Sequence, residues 1–182
     1  MKKIVLTGAA GRLGSHLREP LSKIADQLVS TDLADEIGTL YAGESYVKAD
    51  LASLDQMVDL LKDADMVVHF GAIGDEAPFD AILQSNIVGA YNVWEAAYKN
   101  GVRRVVYASS IHAVGMHPKN EFIGTDAPHR PDTYYGLAKC FAEDLASLYW
   151  DNRGVESVCM RILSAGNVGN PRAVGSWLSY DD

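Results

Sequence analysis

Six short apolar runs, most of them rich in Val and Ile, alternate with four longer stretches of helical period, and this alternation restricts the fold more than any other feature. The runs of strand length are Lys3–Thr7, Leu28–Asp32, Tyr46–Lys48, Met66–Phe70, Val105–Ala108 and Ser157–Ile162. The helical stretches are Gly11–Ile24, Ser53–Lys62, Asp80–Asn100 and Asp132–Asn152. Parallel neighbours need crossover connections, so strands separated by helices predict an α/β fold, a doubly wound parallel sheet covered on both faces. Continuous runs such as Met66-Val67-Val68 suit interior strands, which are buried on both sides. Three irregular segments, Asp75–Phe79, Met116–Pro131 and Ser164–Gly175, follow predicted strands. They are expected at the carboxyl ends of the sheet, where open α/β folds bind ligands.

At 182 residues the chain has the length of one domain, roughly 100 to 200 residues, and positions 1–182 are read as a single unit. Hydrophobic residues at 48% and charged ones at 22% exclude a disordered chain, a collagen-like repeat and a coiled coil. No apolar run approaches the roughly 18 residues of a membrane helix, and the opening segment reaches glycine too early for a signal peptide. A cytoplasmic chain with no membrane partner is therefore expected. Sixteen basic against 24 acidic residues give a net charge of −8, and no cationic cluster exceeds Arg103-Arg104. That balance argues against nucleic acid and for a small-molecule partner. Cys140 and Cys159 lack CxxC spacing, and His16, His69, His112, His117 and His129 lack metal-ligand spacing, so neither a disulfide framework nor a metal is expected.

The first strand runs directly into Gly8-Ala9-Ala10-Gly11-Arg12-Leu13-Gly14 and then a helix. There Gly8 makes a tight turn, Gly11 lets backbone amides approach a pyrophosphate, and Gly14 permits the helix to pack closely on the strand. The helix N-terminus favours the anion. A plain structural turn is the competing reading. Asp32, 24 residues after Gly8 at the end of the second strand, shifts the balance. Its carboxylate accepts from ribose hydroxyls and repels a 2′-phosphate, which predicts NAD rather than NADP, and Leu33 beside it adds no basic group. An aspartate here also serves as a turn or helix cap. Asp50-Leu51, after the third strand, is a further candidate to bracket an adenine, equally compatible with Asp50 as a cap.

Tyr135 and Lys139 stand four residues apart in the last predicted helix and share a face. A free tyrosine, with a pKa of about 10, is a poor base at neutral pH, but an adjacent ammonium and an oxidised nicotinamide both favour the phenolate. Tyr135 can then take a proton from a substrate hydroxyl as hydride leaves. Ser110, at the end of the fifth strand, would hold that hydroxyl. A Tyr and a Lys four apart occur by chance in many helices; joined to the glycine turn, Asp32 and Ser109-Ser110, the chemical reading prevails.

The stretches Thr7–Gly14, Asp50-Leu51, His69–Ala72, Asn86–Gly89, Ser109–Gly115 and Tyr135–Lys139 together resemble the extended short-chain dehydrogenases/reductases, the NAD-dependent epimerase/dehydratase family. The resemblance covers essentially the whole chain. It implies a Rossmann fold and bound NAD, held by Gly8, Gly11, Arg12, Leu13, Gly14, Asp32, Leu33, Asp50, Leu51, Gly71, Ala72 and Ser109, with Tyr135 and Lys139 beside the cofactor. It implies a catalytic triad of Ser110, Tyr135 and Lys139, with Asn86 kinking its helix and supporting a proton relay near Lys139. It also implies a homo-oligomer formed through the two long helices. The stripe Leu137, Phe141, Leu145 and Leu148 allows that association and equally allows a face turned to the sheet.

Within the family the chain resembles the uronate dehydrogenases, which oxidise C1 of a hexuronic acid to the lactone with NAD. The likeness runs through Pro78-Phe79, Ile82–Gln84, Ser110 with His112, Lys139–Phe141, and Arg161-Ile162 leading to Trp177. It implies that Arg172 binds the substrate carboxylate bidentately, and that His112 and Ser164 join Ser110 in contacting the sugar. A solvated Arg172 and a packed His112 are the alternatives. Gly74 stands where those enzymes tend to have serine, Ile111 where they have asparagine, Leu163 where they have glycine and Tyr134 where they have leucine. The first three changes remove polar contacts or add bulk, and each unmade contact to a desolvated group costs about 1 to 3 kcal/mol. A nucleotide-sugar epimerase or dehydratase and a non-catalytic NAD-binding domain are the competing functions. Extended members run well beyond 182 residues, so most of a C-terminal substrate lobe is expected to be missing and an apolar edge exposed.

Overall fold

The computed structural model describes residues 2–166 and 175–180. Its order is β1 (Lys3–Thr7), α1 (Gly14–Ile24), β2 (Gln27–Asp32), β3 (Glu44–Lys48), α2 (Leu54–Leu60), β4 (Met66–His69), α3 (Phe79–Ile82), α4 (Gly89–Lys99), β5 (Arg104–Ser110), α5 (Tyr134–Arg153) and β6 (Glu156–Ile162). A short ribbon of β7 (Ser164–Ala165) and β8 (Trp177–Leu178) follows. The main sheet is parallel throughout, with strand order β3-β2-β1-β4-β5-β6. The order reverses between β1 and β4, which opens a crevice at their carboxyl ends. The α/β, doubly wound reading therefore holds.

Two boundaries differ from expectation for local reasons. The first helix begins at Gly14 rather than Gly11, because residues 8–13 form the turn that leaves β1. The predicted Asp80–Asn100 helix is interrupted by a π-helical segment, Leu83–Val88, between α3 and α4. One wide turn leaves the apolar spacing nearly intact, so periodicity alone does not reveal it.

Coverage of the sheet is uneven. On one face Val5, Val67 and Val105 meet Met57 and Leu61 of α2, Val93 and Trp94 of α4, and Ala142 and Leu145 of α5. Trp94 is fully buried, its indole N–H donates to Ser157 Oγ at 3.0 Å, and its ring stands edge-on to Tyr107. Burying a large apolar side chain contributes about 1.5 to 3 kcal/mol, so this face holds most of the core. The other face, Ile4, Leu6, Leu28 and Val68, receives Leu17 and Leu21 of α1. Val158 of β6, in register with Val106 on that side, is 49% exposed. The expected stripe on α5 divides in the same way: Leu145 is buried, while Leu137 and Leu148 face solvent. Among the described residues no helix is long and apolar enough to cross a membrane.

Arg18 of α1 reaches across the sheet edge to Glu44 at the start of β3, with Nε 2.7 Å from one carboxylate oxygen and Nη2 2.9 Å from the other. Ser30 Oγ and the Tyr41 amide complete the acceptor shell. Burial opposes ionisation of Glu44, but these donors hold its pKa below the usual carboxylate range. Replacing Arg18 with Met leaves that carboxylate without its counter-charge and is expected to lower unfolding free energy by about 3 to 5 kcal/mol in urea titrations, with partial recovery on adding Glu44→Gln. Since the folded pKa lies below the unfolded 4.5, the stabilisation is present above pH about 4.5 and disappears as pH falls through the folded value.

Candidate active site

Four strand ends supply the site: residues 8–13 leave β1, Asp32 ends β2, residues 70–73 leave β4 and Ser110 ends β5. Gly8 has φ +74°, and a Cβ there would stand 2.6 Å from the Phe70–Gly71 backbone. A Cβ on Gly14 would stand 2.0 Å from the Gly8 carbonyl oxygen, so the first turn of α1 rests directly on the loop. Asp32 clamps this arrangement: one oxygen accepts from the Ala10 amide at 2.9 Å, the other from Leu33 at 2.8 Å and Ala34 at 3.3 Å. Of the roughly four lone-pair directions of a carboxylate, one remains open on the oxygen that faces Ala10. The turn-capping reading of Asp32 is thus correct, and it leaves an acceptor for a ligand.

A cleft of about 320 Å³ lies between these ends, within the range of small-ligand pockets. From the sequence-predicted cofactor residues it gathers Gly8, Gly11, Asp32, Leu33, Leu51, Gly71 and Ala72. Thr7, Thr31 and Ser85 also line it and were not foreseen. Thr31 Oγ1 is the one buried side-chain oxygen or nitrogen without a hydrogen-bond partner among the described residues. Arg12 and Leu13 continue the turn beside the cleft, and Gly14 lies beneath it. Asp50 accepts from the Ala52 amide at 2.9 Å, so it shapes a turn outside the lining. Ser109 departs from expectation: its hydroxyl donates to Glu143 of α5 rather than facing the cleft.

Ser110, Tyr135 and Lys139 come together at the start of α5. The Ser110 hydroxyl accepts from the His112 amide at 3.2 Å and lies near enough to the Tyr135 phenol to lower its pKa. Lys139, one helical turn on, is 2% exposed. Its Nζ donates to the Ala108 carbonyl at 2.6 Å and stands 4.7 Å from the Tyr107 ring centre and 5.2 Å from that of Tyr135. Burial lowers its pKa to about 7. Burial also raises that of Tyr135, against the Ser110 hydrogen bond and Arg12, with Asp75 adding to the rise. The sequence reading had the lysine ammonium and an oxidised nicotinamide together drawing Tyr135 toward phenolate; among the protein's own groups burial is the largest influence on it.

The Asn86 amide is engaged by the loop after β4. It lies in the π-helical segment, accepts from the Ile73 amide at 2.9 Å and donates to the Ile73 carbonyl at 3.0 Å. Among the described residues no hydrogen bond joins it to Lys139. On the presumed substrate side, His112 Nδ1 is 2.8 Å from Asp132, and the ring stands edge-on to Tyr135 at 5.7 Å. That contact engages Nδ1 and leaves Nε2 the ring nitrogen available to a ligand. Ser164 Oγ pairs with Ser176 Oγ at 2.9 Å. Arg172 lies outside the described residues.

Several contributors were not singled out as site residues from the sequence. Thr7 Oγ1 accepts from the Gly71 amide at 3.0 Å and meets His69 Nδ1 at 2.8 Å, while burial lowers the His69 pKa to about 3 and keeps it neutral. Glu143 gathers Ser109, His129 at 2.9 Å and Arg161 at 2.8 Å, which ties the 116–131 segment to α5 and β6. Burial opposes its ionisation, yet these donors hold it below the usual range. Glu76 accepts from the Tyr134 and Tyr135 amides.

Known proteins share this arrangement. The chain is 42% identical over 181 residues to the uronate dehydrogenase of Pseudomonas syringae pv. tomato, an alignment that takes in 99% of this chain and 66% of that one. The crystal structure of glucuronic acid dehydrogenase from Chromohalobacter salexigens superposes with a TM-score of 0.94 at 42% identity, over 99% of this chain and 68% of that one. A point mutant of uronate dehydrogenase from Agrobacterium tumefaciens, complexed with NAD, superposes at 0.93 with 41% identity, over all of this chain and 68% of that one. The chain thus spans about two thirds of the length of these relatives. With residues 4–171 matching its sequence pattern, the chain belongs to the NAD dependent epimerase/dehydratase family.

Proposed function

We propose that the chain carries the cofactor site and catalytic groups of an NAD-dependent dehydrogenase that oxidises C1 of a hexuronic acid to its lactone. The convergence of Ser110, Tyr135 and Lys139 beside a cleft bounded by Gly8 and Asp32 carries this reading. The kinship with uronate and glucuronic acid dehydrogenases supports the substrate class. The residues fit NAD: bare backbone around Gly8, an open lone pair on Asp32 for a ribose hydroxyl, and the unpaired Thr31 hydroxyl in the same wall. When bound, oxidised NAD supplies the hydride acceptor and a positively charged ring.

The rest is work for the protein's own side chains. Tyr135 takes the C1 hydroxyl proton as the C1–H bond breaks, its electron pair leaving as hydride and the C1 carbonyl forming. Ser110 holds the same oxygen by hydrogen bond. Lys139, kept beside Tyr135 by Ala108, stabilises the phenolate when protonated. His112 Nε2 accepts from a sugar hydroxyl, and Arg172 pairs with the carboxylate. Asn86 fixes Ile73 at the mouth of the site. Copies associate through α4 and α5, on which Tyr91, Tyr98, Leu148 and Trp150 are exposed.

Incubation with NAD and galacturonate or glucuronate is expected to raise absorbance in the reduced-nicotinamide band, with kcat/KM increasing toward alkaline pH as the buried Tyr135 loses its proton. Silence across a panel of uronates, aldoses and hydroxy acids rejects the reading, and turnover of UDP-sugars without net reduction assigns the chain to epimerases instead. Tyr135→Phe is expected to reduce kcat by about 10²- to 10⁴-fold with NAD affinity retained in a fluorescence titration. Asp32→Asn, which removes the charge and keeps one acceptor, is expected to weaken NAD about tenfold and to narrow the preference over NADP, read from the two dissociation constants. Leu148→Glu with Trp150→Ser is expected to shift the chain toward monomer in sedimentation, without change in its melting temperature beyond a few degrees.

A further inference from the structure

Glu76 lies on the loop between β4 and α3, yet its carboxylate closes on the first turn of α5. One oxygen accepts from the Tyr134 amide at 3.2 Å and the other from the Tyr135 amide at 2.9 Å. The next amide, of Gly136, is taken by the N-cap hydroxyl of Thr133 at 2.9 Å. A helix start leaves its first amides without intrahelical partners, and one N-cap side chain is the usual provision. Here a second acceptor arrives from a different loop and binds the backbone of the residue whose phenol meets Ser110.

The same loop is fastened on both sides of Glu76. The Ile73 amide and carbonyl are held by Asn86, and its amide also lies 3.2 Å from Ser85 Oγ. Beyond it, the Phe79 ring stands edge-on to Tyr134 at 5.4 Å. Of these ties, the Glu76 carboxylate reaches the Tyr135 backbone directly. A side chain near a helix N-terminus leans back toward that terminus, so the position of the phenol depends on how the first turn is held.

We propose that Glu76 is a positioning residue for Tyr135: it latches the loop after β4 to the start of α5 and so keeps the phenol against Ser110. The inference rests on Tyr135 acting as the base. The charged and titratable groups facing Tyr135 are Asp75 from the same loop, Arg12 from the glycine turn, Lys139 on its own helix, His112 from the turn after β5, and Tyr107 of β5. Burial is the largest influence on the Tyr135 pKa, followed by Ser110, which lowers it, and Asp75, which raises it. Releasing the latch alters all three, so the Tyr135 midpoint moves.

The test compares Glu76→Ala and Glu76→Gln in this chain. Turnover with a uronate, NAD affinity by fluorescence, and titration of Tyr135 in protein labelled with 13Cζ-tyrosine are measured together, with Tyr135→Phe identifying the resonance. In Glu76→Ala, kcat per folded molecule is expected to fall about 10- to 100-fold, as a displacement near 1 Å does, with the NAD dissociation constant within about twofold. The Tyr135 titration and the acid limb of kcat/KM move together, away from the parent midpoint. Glu76→Gln, which keeps one acceptor oxygen, recovers most of both. An unchanged Tyr135 midpoint, or a kcat within about twofold of the parent despite a lowered melting temperature, overturns the proposal and leaves Glu76 a structural cap. If the parent turns over no sugar acid while the midpoint still moves in Glu76→Ala, the latch stands and the dehydrogenase reading falls.

Discussion

Backbone packed against backbone at Gly8 is the contact on which the rest of the site depends. Its carbonyl lies beneath Gly14 and its Cα against residues 70–71, so β1, α1 and the end of β4 meet with no side chain between them. A Cβ at Gly8 would meet both a left-handed backbone, unfavourable by about 1 to 2 kcal/mol, and direct overlap with β4. Hydrogen bonds then lock each neighbour to that contact. Asp32 holds the Ala10 amide from β2, and the Thr7 hydroxyl holds the Gly71 amide across from β4. Three strand ends are thereby brought to one cleft whose walls are mostly main chain, which suits a long, charged ligand that has to approach closely.

Buried polar groups in this fold fall into two kinds, and the contrast separates structure from chemistry. Glu44 and Glu143 are saturated with donors, each receiving an arginine and further hydrogen bonds, and both stay ionised. Lys139, His69, Tyr107 and Tyr135 cluster with no carboxylate hydrogen-bonded to their side chains among the described residues, and desolvation moves every one of them toward its neutral form. The first kind fastens loops and edges to the sheet. The second holds a region starved of counter-charge, where an arriving cation or anion shifts proton affinities strongly because little else screens it. Lys139, with a pKa near 7, is the member poised to change state close to physiological pH.

The parts that could be read from sequence are those in which neighbours along the chain do the work. Strand and helix follow from apolar period, and the glycine turn and the Tyr135–Lys139 pair from spacing within one element. Asp32 was also accessible, since its distance from Gly8 is set by one crossover. What escaped depends on residues remote in sequence: Glu76 and Tyr134 are 58 positions apart, and Ser109 and Glu143 are 34 apart. Ser109 looked like a cofactor contact because it adjoins Ser110, but side chains alternate along a strand and its hydroxyl turns to α5. The burial of Tyr135 was not readable for the same reason, as it is a property of the packed molecule. Periodicity likewise assigned an apolar face to each helix without assigning what that face meets, so the split of the α5 stripe between Leu145 and Leu148 was not readable.

The two halves of the site answer differently to change. The cofactor side is formed by backbone, and a side chain added at Gly8 or Gly14 collides with it. The side beside Tyr135 is bordered by side chains on loops: Asp75 and His112 lie near its ring, on segments that the sheet holds only at their ends. At Gly74 no heavy atom lies within 4 Å of where a Cβ would stand, so a serine there would fit without disturbing anything. The Ile73–Phe79 loop is fastened to the π-helical segment at Ile73 and to α5 at Glu76 and Phe79, so the wall that follows β4 and the first turn of the helix bearing Tyr135 are held as one.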